Sequence, residues 1–386
     1  MRTFGLYIHV PFCMKRCNYC NFYTTTDTGV ERVCSYVAAV KTAIKGWASS
    51  WTSTRSLATI YFGGGTPSIL GRHLIDILAI IREVCAVAEC AEITVEANPA
   101  SLDAEIMQEW VAAGINRISL GVQSFDAAAL RTLGRAHTVE DIFRTVALLD
   151  EMSAGTDLSY ALDLICGVPG QDEAAWRSVV EMAIACDPAH VSVYPLTVEE
   201  DTPLAAAVAS GAVEMLTDDN IAQQMLTARA LLTAAGYQHY EVANYMLPEH
   251  EGQHNTGYWT GVEYLGIGPC AASMFMQEDG SRVRFTAHAT RDEFLADPVR
   301  IQSTRWHEHE VLTPAEAMRE DLMLGMRLIR GIRAQKVAEA NVTIVFEQLC
   351  ADGLVRFDAV TECFVPTDRG WLLGNEMYAA VWSEGI

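Results

Sequence analysis

The 386-residue sequence lacks any stretch of about 18 uncharged apolar residues, which argues against a membrane-spanning helix. It shows no basic N-terminal segment followed by an apolar core and a cleavage site, so no secretory signal is predicted. Basic residues are few: 27 Lys and Arg stand against 49 Asp and Glu, giving a formal net charge of −22. That charge argues against a general nucleic-acid binder. We expect a cytoplasmic protein, and peripheral contact with a membrane stays open.

The cysteine pattern indicates a metal site. Eleven cysteines, an odd number, are spread along the chain, which is typical of a reducing compartment. Three of them, Cys13, Cys17 and Cys20, have the spacing CxxxCxxC on one short loop. No second CxxC pair of the kind seen in structural zinc sites appears, and a disulfide would leave one thiol over. The motif favours a four-iron cluster with one open iron; zinc and unrelated buried cysteines are the alternatives.

Residues 1–236 are predicted to form a partial barrel. Short β-rich runs alternate there with helix-like segments, which is the pattern of βα units around a parallel sheet. Six units predict an α/β fold of the incomplete (β/α)6 TIM type, because a complete eight-unit barrel needs roughly 250 residues. The six predicted strands are Leu6–Val10, Ala58–Phe62, Glu92–Glu96, Arg117–Gly121, Ala161–Ile165 and His190–Tyr194.

Two further regions complete the predicted organisation. Residues 237–309 are rich in Gly, Pro and aromatic residues, and we expect an irregular segment that covers the barrel mouth and contacts substrate. Residues 310–386 begin with a capping pattern at Thr313 and Pro314. Two helices and the strands Leu354–Phe357 and Cys363–Pro366 then predict a small α+β unit that resembles a winged helix. It holds seven basic and twelve acidic residues, which argues against DNA binding.

With its flanks, YIHVPFCMKRCNYCNF, the cysteine loop closely resembles the cluster loop of the radical S-adenosylmethionine (SAM) superfamily. The resemblance implies a [4Fe–4S] cluster on the three cysteines, whose open iron binds the amino and carboxylate groups of SAM. It also implies that an electron donor could drive cleavage of SAM to methionine and a 5′-deoxyadenosyl radical. The sequence leaves open whether SAM is cleaved or only bound.

Several motifs after the predicted strands suit SAM. The segment GGGTP at 63–67 resembles the superfamily's glycine-rich turn, which implies contacts from Gly64, Gly65 and Thr66; glycine lets a ligand approach the backbone closely. Glu96 ends the third strand, where a carboxylate points into the barrel mouth and suits a ribose diol. The resemblance assigns further SAM contacts to Gln123, Arg135 and Asp163, and four more aligned positions are Tyr7, Tyr19, Thr197 and Ala272.

Within the superfamily, the chain resembles the branch of oxygen-independent coproporphyrinogen III oxidase and the haem chaperones called HemW. The oxidase carries a further Cys two positions after the third, whereas the chaperones carry Phe, and this chain has Phe22. The oxidase also has a long N-terminal extension before the first barrel strand, which begins here by Leu6. His9, just before the cluster loop, belongs to the shared motif and is expected to pack or hydrogen-bond beneath the cluster.

A second motif, HNxxYW at 254–259, resembles the chaperone signature and implies His254 as a haem ligand. Taken without the resemblance, a His near two aromatic residues is more often structural. The chaperone pattern GPGAHS reads here with Cys270 in place of Gly and Ala272 in place of His, so any contact from that second His is lost. Cys270 is expected to be a small buried side chain, with a thiolate near the pocket as the alternative, and it is not assigned as a ligand.

These features predict a haem chaperone that binds a [4Fe–4S] cluster, SAM and haem and delivers haem to acceptor haemoproteins. The alternative is a coproporphyrinogen III oxidase, an enzyme that decarboxylates its substrate oxidatively through the 5′-deoxyadenosyl radical. A third class is a regulator acting through the winged-helix-like unit, against which the acidic charge speaks. The sequence predicts no nucleic-acid partner and specifies no oligomeric state.

Overall fold

The computed structural model of the chain describes residues 2–48 and 55–383. Strands and helices alternate through the first part. The elements are β1 (Arg2–Val10), α1 (Val30–Ala48), β2 (Arg55–Gly64), α2 (His73–Val84), β3 (Val87–Ala97), α3 (Ala104–Ala112), β4 (Arg117–Gln123), α4 (Ala127–Thr132), α5 (Val139–Ser153), β5 (Ser159–Cys166), α6 (Glu173–Ala185), β6 (His190–Pro195), α7 (Pro203–Ala209) and α8 (Asp218–Ala234).

Strands β1 to β6 pair side by side and parallel in chain order. All six predicted strands are present, and each is one to six residues longer than predicted. Among the described residues β1 and β6 do not pair with each other, so the barrel is open and the predicted α/β fold class is confirmed. In β1, Phe4, Leu6, Ile8 and Val10 are buried in the main hydrophobic core that joins the sheet to its helices. The alternate residues face the inner side of the sheet.

The segment expected to be irregular instead extends this sheet, and the expectation of an irregular cover is corrected here. Its elements are β7 (Gln238–His239), β8 (Asn244–Met246), α9 (Gln253–Trp259), β9 (Tyr264–Ile267), β10 (Ala272–Met276), β11 (Arg282–Thr286), α10 (Arg291–Ala296) and β12 (Glu308–Leu312). Strand β9 pairs parallel with β1, and β10, β11 and β12 follow antiparallel. The strand order is β12-β11-β10-β9-β1-β2-β3-β4-β5-β6-β8-β7.

The C-terminal unit has its own hydrophobic core. Its elements are α11 (Pro314–Gly325), β13 (Ile332–Arg333), α12 (Ala334–Glu339), α13 (Thr343–Ala351), β14 (Val355–Asp358), β15 (Cys363–Pro366), α14 (Asp368–Leu372) and α15 (Gly374–Ser383). The predicted capping box at Thr313 and Glu316 forms at the start of α11. The unit contains five helices and a three-stranded antiparallel sheet of order β13-β15-β14, which fits the winged-helix-like prediction with three helices and one strand more than expected.

Buried charges join this unit to the large sheet. Arg282 on β11 is buried and pairs with Glu320 of α11, and it reaches Asp321 at 2.6 Å. Arg284 pairs with the same Glu320. On the other side Trp371 donates a hydrogen bond to the carbonyl of Val242 at 2.8 Å. The two units are therefore held together by specific polar contacts.

All eleven cysteines are free thiols. Within residues 2–48 and 55–383, no helix combines the length and the hydropathy that a membrane crossing needs.

Removing Glu320 should destabilise the fold. The Glu320→Ala variant leaves the buried Arg282 guanidinium short of its partner, so we expect the free energy of unfolding to fall by about 3 kcal/mol. Urea unfolding of both proteins measures the difference. Arg144→Ala, which breaks an exposed pair with Asp141, is the control and should cost at most about 1 kcal/mol. Equal losses in the two variants would contradict the prediction.

Candidate functional site

The three cysteines lie on a loop that leaves the C-terminal end of β1 and is anchored on several sides. Its base is closed by hydrogen bonds between the Cys13 amide and the Thr25 carbonyl, 2.9 Å, and between the Thr25 amide and the Pro11 carbonyl, 2.6 Å. Asn18 is bonded to the backbone of Leu133, which ends α4. The ring of His9 bonds the carbonyl of Tyr23 at 2.9 Å. The predicted hydrogen-bonding role of His9 therefore has a concrete form: it holds the end of the loop.

The cysteine thiols are partly buried and have polar neighbours. Burial raises the pKa of the Cys13 and Cys20 thiols, so a metal must displace their protons. Arg135 donates to the Cys17 sulfur at 3.3 Å, and the hydroxyl of Thr66 lies 3.6 Å from the Cys13 sulfur. In the part of the chain that the structure describes, no three His, Cys, Asp or Glu side chains converge on a single ion.

A cavity of ≈ 420 Å³ opens directly beside these thiols. Its wall includes the predicted residues Gly64, Gly65, Thr66, Glu96, Gln123, Arg135, Asp163, Tyr19 and Thr197, along with the three cysteines. A Cβ on Gly65 would lie 2.6 Å from the carbonyl oxygen of Phe12 and 3.1 Å from the Cys13 sulfur. The glycine therefore lets the turn and the cysteine loop meet. The volume lies within the range of small-molecule sites.

Two half-buried carboxyl groups face this cavity. Glu96 accepts hydrogen bonds from the Tyr61 hydroxyl at 2.8 Å and from the Gly64 amide at 3.0 Å. Burial raises the pKa of Glu96 to about 7 despite these bonds. Asp163 accepts a bond from Ser119 at 3.0 Å, and burial raises its pKa as well. Both groups would gain from a ligand that donates hydrogen bonds or carries positive charge.

Arg135 organises the opposite wall. It donates to the side-chain oxygen of Asn98 and to the carbonyl of Gly121 at 2.6 Å, while its buried Nε has no partner among the described residues. Gln123 has a φ of 66°, a left-handed conformation that is uncommon for a residue with a side chain and is typical of functional sites. The sequence analysis did not identify Asn98 or Tyr61 as site residues. Their positions could have indicated them, because Asn98 lies at a strand end close to Glu96 and Tyr61 lies just before the glycine-rich turn.

A second and larger cavity, ≈ 1020 Å³, lies between the inner face of the sheet and the C-terminal unit. The cluster loop forms part of both walls, because Arg16, Asn21, Phe22 and Thr24 line both cavities. Aromatic and sulfur-containing side chains dominate the rest of its lining: Tyr7, Tyr23, Tyr258, Trp259, Tyr264, Cys270, Met274 and Met323. The molecule therefore has room for two ligands on either side of one loop.

Three of the predicted site residues lie apart from the smaller cavity. Tyr7 lines the larger cavity, where its hydroxyl bonds the His9 ring at 3.1 Å; its own ring lies 6.1 Å from that of Tyr61. Ala272 also lines the larger cavity. His254 lies in neither. The role of Tyr7 and Ala272 in SAM binding stays a prediction that this placement disfavours.

The HNxxYW motif lies in the short helix α9, whose His254 contacts Thr59 on strand β2. The carboxylate of Glu92 accepts bonds from the amides of Gln253 and His254 at 2.9 and 3.0 Å. Both ring nitrogens of His254 are engaged, Nδ1 with Thr59 at 2.7 Å and Nε2 with the Tyr258 hydroxyl at 2.8 Å. Burial lowers the pKa of His254 to about 3. With no free nitrogen, its predicted role as a haem ligand stays a prediction that this geometry disfavours.

Cys270 differs from the expectation of a buried residue. Its side chain is exposed at the larger cavity, with φ of 55° and the sulfur 3.0 Å from the carbonyl of Ala289. A glycine would adopt this left-handed conformation without strain.

Comparisons with known proteins agree with this geometry. A profile of the radical SAM superfamily matches residues 7–183. The heme chaperone HemW of Mycobacterium tuberculosis is 34% identical over 377 residues, covering 97% of this chain and 93% of the relative. HemW of Synechocystis is 34% identical, covering 87% and 81%. The chain belongs to the HemW family of radical SAM proteins.

A zebrafish (Danio rerio) protein named radical S-adenosyl methionine domain-containing protein 1, mitochondrial, is 31% identical to this chain. The match covers 89% of this chain and 78% of the relative. Among solved structures, coproporphyrinogen III oxidase (HemN) from Escherichia coli superposes with a TM-score of 0.81 over 99% of this chain and 90% of that protein. At 22% identity this likeness shows a shared fold. Membership of the superfamily implies a [4Fe–4S] cluster and SAM, and the smaller cavity offers the three thiols and the polar groups that both require.

Enlarging Gly65 should impair cluster assembly. In Gly65→Ala the new methyl group would collide with the Phe12 carbonyl and crowd the Cys13 sulfur, so the cysteine loop must shift. We expect iron and sulfide content after anaerobic reconstitution to fall to about half or less, since precise ligand placement governs metal affinity. Gly29→Ala, where the added Cβ meets nothing closer than 3.8 Å, is the control. Equal iron content in the two variants would refute this account of the turn.

Glu96 should impose a pH dependence on the stability of the ligand-free protein. Because its native pKa is raised from 4.5 to about 7, the native state holds the proton more tightly than the unfolded chain. Stability present below about pH 4.5 is therefore lost as the pH rises through about 7, by up to about 3 kcal/mol. In Glu96→Gln this part of the fall should disappear, as urea unfolding at about pH 5 and about pH 8 would measure. Glu151→Gln, on the exposed face of α5, should keep the wild-type slope; an unchanged slope in Glu96→Gln contradicts the prediction.

Proposed function

We propose that this HemW-family protein is a haem chaperone that binds a [4Fe–4S] cluster, SAM and haem, and delivers haem to acceptor haemoproteins. The observation that carries the proposal is the larger cavity, which shares the cluster loop with the smaller one. Near full-length similarity to proteins named heme chaperones supports it. The two cavities lie side by side, and the proposal assigns SAM to the smaller and haem to the larger.

Cys13, Cys17 and Cys20 are assigned to the cluster, and the polar groups of the smaller cavity to SAM. When bound, the cluster would supply one-electron chemistry to SAM. The protein's own contribution is positioning: Gly64 and Gly65 admit the ligand to the backbone, while Glu96 and Asp163 offer acceptors for its hydroxyl and ammonium groups. Arg135 ties the cysteine loop to the far wall through Cys17 and Gly121. Loop and cavity thereby form one unit.

The larger cavity suits a large, flat and mainly apolar ligand with acidic edges. Its volume of ≈ 1020 Å³ is at the upper end of ordinary ligand sites, and its tyrosine, tryptophan and methionine side chains offer surfaces for stacking. Arg16 stands at the shared wall, where its Nε donates to the Cys20 carbonyl at 3.2 Å and where it forms no ion pair with any described carboxylate. A haem propionate would provide one.

Phe22 bears on the choice between chaperone and oxidase. It stands two positions after Cys20, lines both cavities and is 62% exposed. An apolar ring there covers the loop between the two ligands and supplies no extra thiol. We infer that a haem-handling role fits better than coproporphyrinogen III oxidation, and we place the protein in the cytoplasm with haemoproteins and an electron donor as partners, without nucleic acid. Peripheral membrane contact during delivery would be compatible with this proposal.

Haem titration of the anaerobically reconstituted protein tests the proposal. We expect a saturable shift of the haem Soret band and transfer of bound haem to an apo-haemoprotein. Arg16→Ala should weaken haem binding several-fold, on the order of 1 kcal/mol, since an exposed ion pair contributes about that much. Lys15→Ala is the matched control, because Lys15 is exposed on the same loop and lines only the smaller cavity.

Two outcomes would overturn the proposal. The first is the absence of any Soret shift in the wild-type protein. The second is consumption of coproporphyrinogen III with release of CO2 when SAM and a reductant are supplied, which would establish the oxidase. Formation of 5′-deoxyadenosine is measured in the same preparation and reports whether SAM is cleaved.

A further inference from the structure

The HNxxYW motif has two side chains able to bind iron, and the structure places them differently. His254 is buried, and its ring stacks on Tyr61 with centroids 5.0 Å apart. Gly5 makes room for it: a Cβ there would lie 3.2 Å from the His254 ring. The ring is thus enclosed by strands β1 and β2 and does not line the larger cavity.

Tyr258 lies one helical turn later on α9 and does line the larger cavity. It is half-buried, and its ring meets that of Tyr264 edge to face with centroids 4.7 Å apart. Its hydroxyl is 2.8 Å from Nε2 of His254. Tyr258 is therefore the member of the motif that stands between the buried histidine and the open space.

The hydrogen bonds of His254 determine what it offers to this hydroxyl. In a neutral imidazole one nitrogen carries a hydrogen and the other accepts one. If the Thr59 hydroxyl donates to Nδ1, then Nε2 carries the hydrogen and donates it to the Tyr258 oxygen. The phenol O–H is then free to point elsewhere, and the second lone pair of the phenol oxygen is open to a ligand. An N–H donor aimed at a phenol oxygen also stabilises the phenolate form.

We propose that Tyr258 coordinates the iron of haem bound in the larger cavity, and that His254 is a positioning residue that holds the Tyr258 oxygen through Nε2. This inference rests on the proposed haem binding and names the ligand within it. Tyrosinate is an established axial ligand of haem iron. The motif then works as a relay, Thr59 to His254 to Tyr258, with the iron at its end.

The coordination step is balanced without any redox partner. The O–H bond of Tyr258 breaks, its proton passes to water in the cavity, and a bond forms between the phenolate oxygen and ferric iron. No electron is transferred and iron stays ferric. The phenolate forms when iron replaces the proton.

The test is a titration of the full-length, cluster-loaded protein with ferric haem, followed by absorption and resonance Raman spectroscopy. The wild type should show phenolate vibrations enhanced in the Raman spectrum. Tyr258→Phe should lose them and bind haem at least about ten-fold more weakly. Tyr264→Phe removes a neighbouring hydroxyl on the same cavity and is the matched control; it should keep the signature.

Variants of the histidine distinguish positioning from coordination. His254→Gln should retain phenolate modes at a shifted frequency, because an amide replaces the ring donor. Tyr258→His should exchange the phenolate signature for that of an imidazole-bound haem. This variant shows that position 258 faces the iron, and its new signature distinguishes loss of the ligand from misfolding of the variant. Far-ultraviolet circular dichroism and cluster content of each variant report the fold.

Several results would overturn the inference. Wild-type haem binding without phenolate modes, or a wild-type spectrum in Tyr258→Phe with loss in His254→Gln, refutes it and leaves haem binding intact. A thiolate spectrum abolished by Cys270→Ser assigns the iron to Cys270 instead. Absence of haem binding in the wild type overturns the proposed function together with this inference, and that outcome is recognisable because no variant is needed to see it.

Discussion

The double pairing of β1 is the constraint on which the rest of the site depends. One edge of this strand pairs with β2 and the other with β9, both in parallel. The cysteine loop leaves the C-terminal end of β1, so it emerges between the two halves of the sheet. Because β2 carries the glycine turn and β9 leads to the strands beneath the C-terminal unit, the smaller cavity opens on one side of the loop and the larger on the other. A change in either pairing would displace the loop from one of its two ligands.

The inner face of this sheet is built for ligands at the expense of stability. Glu96, Asp163 and Arg135 lie half-buried there, and burial of charge is unfavourable unless partners compensate. Gln123 adds backbone strain at the same wall. The outer face offsets these costs, since β1 to β6 and their helices share one large apolar core. This division explains why the six strands could be predicted from the sequence. Their outward-facing residues are apolar at every second position, and this alternation is the pattern that predicts a strand.

The parts that the sequence did not predict have weaker patterns for physical reasons. Strands β7 to β12 have two to five residues each, too few for alternation to stand out, and β9 contains Gly266. That glycine is needed because a Cβ would lie 2.2 Å from the carbonyl oxygen of Ala272, but in the sequence it marks a turn. Glu96 could be anticipated because it ends a predicted strand, and the ends of parallel strands meet at one edge, whereas Gln123, Arg135 and Asp163 were assigned through the family resemblance. The orientation of His254 could not be predicted, since it depends on Gly5 and Thr59, which are some 200 residues away in sequence.

The larger cavity also depends on charge, and in a way that couples it to the C-terminal unit. Arg282, Arg284 and Glu320 all line it, and Glu320 is the acidic partner of both arginines. These three side chains therefore have two roles. They fix α11 against β11, and they form the polar part of the lining of the larger cavity. A ligand with acidic groups would compete with Glu320 for the arginines, while a neutral ligand would leave the pairing intact. An anionic occupant of this cavity would thus weaken the ion pairs that fix α11 against β11.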